Sequence, residues 1–159
     1  MEKVNIADVG ATPSISPATV ATFLSNALGT EHLAINYFEL APGDQLGWDY
    51  HRHRDQEEVF VVLSGTLTFE TDEGDVRVGA DEAIRFAPDE FQLGHNREDE
   101  RVTVLALGAP RGSRALQYRR QCEHCHEETI QDVELDRERR VFVVSCTVCE
   151  EPVTEIEPA

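Results

Sequence analysis

Gly47-Trp48-Asp49-Tyr50-His51-Arg52-His53-Arg54-Asp55-Gln56-Glu57-Glu58-Val59-Phe60-Val61-Val62-Leu63-Ser64-Gly65 is the stretch whose reading decides the fold. In extended backbone His51 and His53 point to one face. Two imidazoles at that spacing can grip one metal ion from one side. Glu58 lies an odd number of residues beyond His53, so an unbroken strand would turn it to the opposite face. Arg54 to Gln56 are polar, and a bend there returns Glu58 to the inner face on a following strand, with Phe60 and Val62 beside it. Two histidines and one carboxylate leave coordination positions open, which suits iron, manganese or nickel, with zinc also possible. A plainer reading is also open: two exposed strand histidines and a solvated carboxylate.

The period-two pattern continues on both sides. His32 to Leu40, Glu57 to Leu63, Thr66 to Glu70, Val76 to Val78, Ala83 to Phe86 and Arg101 to Leu107 read as strands. Pro42-Gly43, Gly65 and Asp72-Glu73-Gly74-Asp75 supply turns. Short strands with frequent turn signals indicate an all-β sandwich or barrel. Upstream, Ser16-Pro17 reads as a helix start, and Val20, Phe23, Leu24 and Leu28 recur at helical spacing before Gly29. One short helix is expected over about 17–28. Val59, Val61 and Leu63 make the outer face of their strand apolar too, so that face needs cover from the helix or from a second subunit.

Here a resemblance becomes specific. The central stretch looks like the first cupin motif, His-x-His, four residues, Glu, six residues, Gly; His51, His53, Glu58 and Gly65 match it, and Glu57 is one place out of register. The second cupin motif carries a fourth ligand, normally His, four residues before an Asn. Asn96 fits that Asn, which puts the ligand slot on Gln92, and the motif's preceding proline falls on Ala87, one place before Pro88. Gln92 offers a neutral carbonyl oxygen, a poorer transition-metal ligand than imidazole. His95, three residues on, would point outward. The resemblance covers about residues 33–108. It implies a double-stranded β-helix (jelly-roll) barrel, a divalent metal on His51, His53, Glu58 and Gln92, and a homodimer.

Cys122-Glu123-His124-Cys125 and Cys146-Thr147-Val148-Cys149 form Cys-x2-Cys-x20-Cys-x2-Cys and contain all four cysteines. Zinc prefers four tetrahedral ligands, and two such turns can supply four thiolates. The intervening Ile130 to Leu135 and Arg140 to Ser145 have room for a hairpin. This looks like a zinc ribbon over about 116–155. A redox pair should sit at a strand-to-helix junction, and a cytosol disfavours disulfides. His124 and His126 lie beside a shell that four cysteines already complete. The organisation expected is a cupin barrel over 1–114, a linker at Arg111 to Arg114, and a ribbon over 115–159 whose acidic end frays.

The 159 residues carry 31 acidic and 14 basic side chains, a net charge of −17, and Lys3 is the only lysine. Such a surface repels phosphate backbones, which argues against nucleic acid as a partner. The composition resembles that of haloarchaeal proteins, whose salt-rich cytoplasm screens self-repulsion. The N-terminal residues carry no signal-peptide pattern, and runs such as Val59 to Leu63 are too short to span a bilayer, so a cytoplasmic protein without membrane contact is expected. Trp48 and Tyr50 are candidates for a pocket mouth, and Arg85 for either a cavity anion contact or an exposed ion pair. Two functions follow. One is a metal-dependent oxygenase or sugar-isomerase-like enzyme acting on a small polar metabolite, as the resemblance implies. The other is a ligand-sensing module whose ribbon contacts a protein partner.

Overall fold

A computed structural model describes residues 1–11, 17–113 and 115–157. A 3-10 turn at Ile6–Asp8 precedes β1 (Val20–Phe23), α1 (Leu24–Leu28), β2 (Ala34–Leu40), β3 (His51–His53) and β4 (Glu57–Ser64). Then come β5 (Thr66–Thr71), β6 (Val76–Gly79), β7 (Ala83–Phe86), β8 (Gln92–His95) and β9 (Val102–Ala109). The chain ends with β10 (Leu116–Gln121), β11 (Glu128–Asp136), β12 (Val141–Cys146) and β13 (Pro152–Ile156).

Two sheets face each other. One is five-stranded in the order β1-β2-β9-β4-β7; the other is eight-stranded in the order β13-β12-β11-β10-β3-β8-β5-β6. Alternation drives this arrangement. Along β9 every second residue, Val102, Val104, Ala106 and Gly108, is buried. In β4 the inward pair is Phe60 and Val62. Between the sheets Phe60, Phe69 and Phe86 pack with centroids 5.0 to 6.1 Å apart. Leu40, Leu67, Val102 and Val104 complete a core from which water is fully excluded. Gly65 turns β4 into β5 with φ of +77°, a conformation disfavoured for residues with a Cβ.

The bend expected after His53 is present. Residues 54–56 separate β3 from β4, and the two strands lie in different sheets, so Glu58 returns to the interior. On the outer face Val59 and Val61 are half-buried and Leu63 is 46% exposed; α1 leaves this last residue uncovered.

Two expectations are corrected. The helix expected over 17–28 is confined to Leu24–Leu28, and Val20–Phe23 is a strand paired with Glu39 to Asn36. Edge pairing, which buries Ala21 and Thr22, outweighs the helical spacing of four apolar residues. The Thr19 backbone N–H and hydroxyl both bond Asp44 and hold the segment extended; Ser16 lies outside the described residues. At the other end, the tail expected to fray contains β13, which pairs with β12 and is clasped by a two-point Arg139–Glu155 ion pair.

After residue 114 the chain adds strands to the barrel's own sheet. β10 pairs with β3 in the register Leu116 to His53, Gln117 to Arg52 and Tyr118 to His51. Beyond it only Tyr118, Val133 and Val144 form a buried cluster, with Leu116, Phe142 and Ile156 against it. A core that small gives little independent stability.

Phe69→Ala removes a fully buried ring from the aromatic cluster and should cost about 3–5 kcal/mol in urea unfolding. Leu63→Ala, on the exposed face, should change stability by less than about 0.5 kcal/mol.

Candidate metal centre and its cavity

β3 is only three residues long, yet it is bonded on both sides, to β10 and to β8 through His51 and Gln92. It therefore presents two imidazoles from a fixed backbone. Gly47 is required beneath them: a Cβ there would lie 2.7 Å from Cε1 of His51. The structure brings His51, His53 and Glu58 together, with one ligand atom from each within 4.8 Å of the others. His53 Nε2 is 3.6 Å from Glu58 Oε1.

Both imidazoles are held by their other nitrogen. His51 Nδ1 lies 2.8 Å from the Asp49 carbonyl. That carbonyl can only accept, so the proton sits on Nδ1 and the Nε2 lone pair faces inward. His53 Nδ1 lies 3.0 Å from Ser113 Oγ, whose hydroxyl donates to Asp55 Oδ1 at 2.6 Å. The Ser113 oxygen thus accepts from His53, and the second Nε2 lone pair also faces inward. Such outer partners set the tautomer of a metal-binding histidine.

Gln92 is 2% exposed. Its Nε2 donates to Glu58 Oε2 at 3.0 Å and to His51 Nε2 at 3.1 Å, while its Oε1 is buried without a partner. Asn96, the other residue of that motif, is buried and structural. Its amide donates to the Leu40 and Glu100 carbonyls and accepts from the Glu98 backbone.

Burial sets the protonation of this group. It pushes the His51 ring below its usual value, and it pushes His53 down to about 4, with the neighbouring His51 adding to the effect. Burial pushes Glu58 up to about 7, against the Gln92 hydrogen bond. Two neutral imidazoles, one carboxyl that resists ionising alone, and an amide oxygen lacking a partner make a donor set that a divalent transition ion fits.

These side chains line a cavity of about 320 Å³. Trp48, the only tryptophan, is on its wall, whereas Tyr50 lies elsewhere, stacked on Phe91 with centroids 5.4 Å apart. Glu57 points outward to Arg85 at 2.7 Å, so Arg85 is an exposed ion pair and lies off the cavity wall. His95 lies near Glu70, away from Gln92. Among the wall residues that escaped the sequence reading are Asn36, Leu116 and Tyr118. Arg111 and Ser113 had read as linker; both line the cavity instead. The Arg111 to Arg114 sequence carries no sign of this, because the contacts depend on β10 docking against β3. Burial pushes the Tyr118 hydroxyl up to about 12, so it stays protonated.

At the far end of the eight-stranded sheet the four cysteines also converge. Their Sγ atoms lie within 4.8 Å of one another, consistent with a small metal-binding module. Two matching turns build the cluster. In each, the backbone N–H four residues after the first cysteine bonds back to that cysteine's carbonyl: His126 to Cys122 at 2.9 Å and Glu150 to Cys146 at 3.0 Å. His126 and Glu150 take positive φ to close the turns. The Thr129 hydroxyl, with backbone N–H groups, pulls Cys146 down to about 6. His124 is exposed and contacts the Pro152 carbonyl.

Residues 36–108 match the cupin domain family. The barrel also resembles several solved cupin structures. One is described as a sugar phosphate isomerase of a cupin superfamily from Silicibacter pomeroyi: TM-score 0.62, 20% identity, over 91% of this chain and 87% of that one. The polyketide cyclase RemF from Streptomyces resistomycificus gives 0.63 and 24% over 73% and 83%. A predicted oxalate decarboxylase from Thermotoga maritima gives 0.58 and 19% over 68% and 98%. No curated protein matches. At these identities the likeness carries the fold alone. Among the described residues no helix is long and apolar enough to cross a membrane.

The two kinds of shift oppose each other in the metal-free chain. Folded Glu58 keeps a proton that the unfolded chain releases above pH 4.5, so its contribution falls as pH rises toward 7. Folded His53 refuses a proton that the unfolded chain takes up below 6.5, so its contribution falls as pH drops toward 4. Over the overlap Glu58 offsets His53, while His51, pushed down as well, adds to the rise of stability with pH. In chelator-treated protein, Glu58→Gln should therefore unmask a stability that climbs with pH more steeply than wild type, by about 1.4 kcal/mol per pH unit. Urea unfolding across pH 5 to 6.5 measures it; parallel slopes would mean that Glu58 titrates like a free carboxyl.

Proposed function

We propose that the chain is a two-metal protein whose barrel holds a divalent transition ion and uses it to bind or convert a small polar metabolite. The observation that carries this reading is the convergence of His51, His53 and Glu58 at one end of a cavity with room for a ligand. His51, His53 and Glu58 would hold iron, manganese, nickel or zinc, with Gln92 turning its amide oxygen to the ion. A bound ion of this kind supplies Lewis acidity and, for iron or manganese, redox chemistry. The residues' own contributions are positional. Asp49 and the Ser113–Asp55 pair hold the imidazole lone pairs on the cavity. Metal-dependent oxygenation or isomerisation is the reaction class proposed, by resemblance to cupins; neighbours of this fold are described as a sugar phosphate isomerase, a polyketide cyclase and a predicted oxalate decarboxylase.

A non-catalytic ligand-sensing role is favoured by one observation. Gln92 already answers both His51 and Glu58 with its amide nitrogen, which is a quieter arrangement than a third imidazole.

The cysteine cluster would hold structural zinc as a ribbon over 115–159. Bonds of about 2.3 Å in a tetrahedron put sulfurs about 3.8 Å apart. The Cys122–Cys149 and Cys125–Cys146 pairs stand at 3.9 and 3.8 Å. A cytoplasmic, salt-rich setting, a homodimer through the Leu63 face and a protein partner at the ribbon belong to the same proposal. Its grounds are the charge of −17 and the uncovered apolar surface.

Metal analysis of the full chain by mass spectrometry tests the reading. Wild type should carry about one zinc and about one further transition ion. His51→Ala should lose the second and keep the zinc; Cys125→Ser should do the reverse. A second ion that survives His51→Ala would refute the barrel assignment.

A further inference from the structure

Arg111 is the one lysine or arginine among the described residues that line the cavity. Most other arginines are matched to carboxylates, from Arg52 with Asp89 to Arg139 with Glu155. Arg111 differs. Its NH1 and NH2 donate to the Thr30 carbonyl and the Asn26 amide oxygen, both neutral, and among the described residues no carboxylate pairs with it. Those two bonds fix the guanidinium while leaving further N–H donors and its full charge. In a chain of net charge −17, an unmatched cation on a cavity wall is the exception.

The rest of the wall narrows what that cation can meet. Asn36 faces the same cavity, and its amide has no hydrogen-bond partner among the described residues. Phe38, Leu46, Trp48, Phe60, Leu116 and Tyr118 supply apolar and aromatic surface. The polar wall groups are gathered around His51, His53, Glu58, Gln92, Gln56 and Ser113, so a ligand with an apolar body fits the remaining aromatic and aliphatic surface. A carboxylate carries one charge, and its two oxygens suit the planar guanidinium fork.

We propose that Arg111, together with Asn36 on the same cavity wall, is an anion subsite that makes this cavity selective for small monocarboxylic acids with an aromatic or branched apolar body. The inference deepens the metal-site reading above and rests on it for the other end of the ligand, which would lie toward His51, His53 and Glu58. On a partly enclosed wall the charged contact is stronger than at the open surface, so the acid group sets affinity and the aromatic and aliphatic side chains set shape.

Trp48 lines the cavity and is the only tryptophan, so its fluorescence reports occupancy directly. The test titrates the full-length, metal-analysed protein with 3-phenylpropionate, its neutral amide 3-phenylpropionamide, and glucose 6-phosphate. The acid should bind at least about tenfold more tightly than the amide, as expected for a charge-assisted contact. Arg111→Gln should weaken the acid about 10- to 100-fold and leave the amide within about threefold. Because Arg111 also ties down the α1 segment, the acid–amide comparison on wild type, which needs no variant, stands by itself. Equal affinity for acid and amide, or tighter binding of glucose 6-phosphate than of the acid, would overturn the inference. Acid preference in protein lacking the barrel ion would uphold the Arg111 subsite while removing the metal reading. A loaded ion without acid preference would do the opposite.

Discussion

Taking two imidazoles and a carboxylate out of water together is the constraint around which this barrel is organised. Each group alone would resist burial, and each finds a partner. Asp49 and Ser113 fix the rings from behind, and Gln92 answers Glu58 and His51 from the front. The raised Glu58 and lowered His53 record the cost that remains. Gly47 gives His51 its space, and the break at residues 54–56 turns Glu58 back inside. The apolar core between the sheets supplies the stability that lets such a polar knot persist.

Local spacing was readable. The His-x-His pair, Glu58 and Gly65 lie within one stretch, so alternation and one bend place them. Gln92 followed from Asn96, whose buried amide braces the loop after β8. The cysteine pairs were readable because their chemistry needs only that two turns meet. Contacts made across the sheet were not readable. Val20–Phe23 has helical spacing and becomes a strand because an edge is waiting for it. Glu150 onward looks like an acidic tail, and it becomes a strand because Arg139 clasps Glu155. Arg111 and Ser113 sit in a segment whose composition signals a linker, and only tertiary docking turns them toward the cavity.

The join between β3 and β10 links the two parts of the molecule. Arg120 extends it by pairing with Asp49, the residue whose carbonyl holds His51, and Arg119 stacks over Phe91 at 3.9 Å while pairing with Asp72. The cysteine cluster therefore hangs from the strand that flanks the histidines. Its buried hydrophobic cluster is small, and the barrel sheet lends it a rigid base.

Because side chains alternate along β10, Leu116 and Tyr118 reach the cavity while Gln117 turns away to Arg52 and Asp132. The parity of the connection between β9 and β10 thus decides which set faces the ligand. A single-residue insertion there would exchange a leucine and a tyrosine for polar glutamine in the wall, whereas a two-residue insertion would keep the same faces. A change in loop length alone would in this way remodel the cavity wall and leave His51, His53 and Glu58 in place.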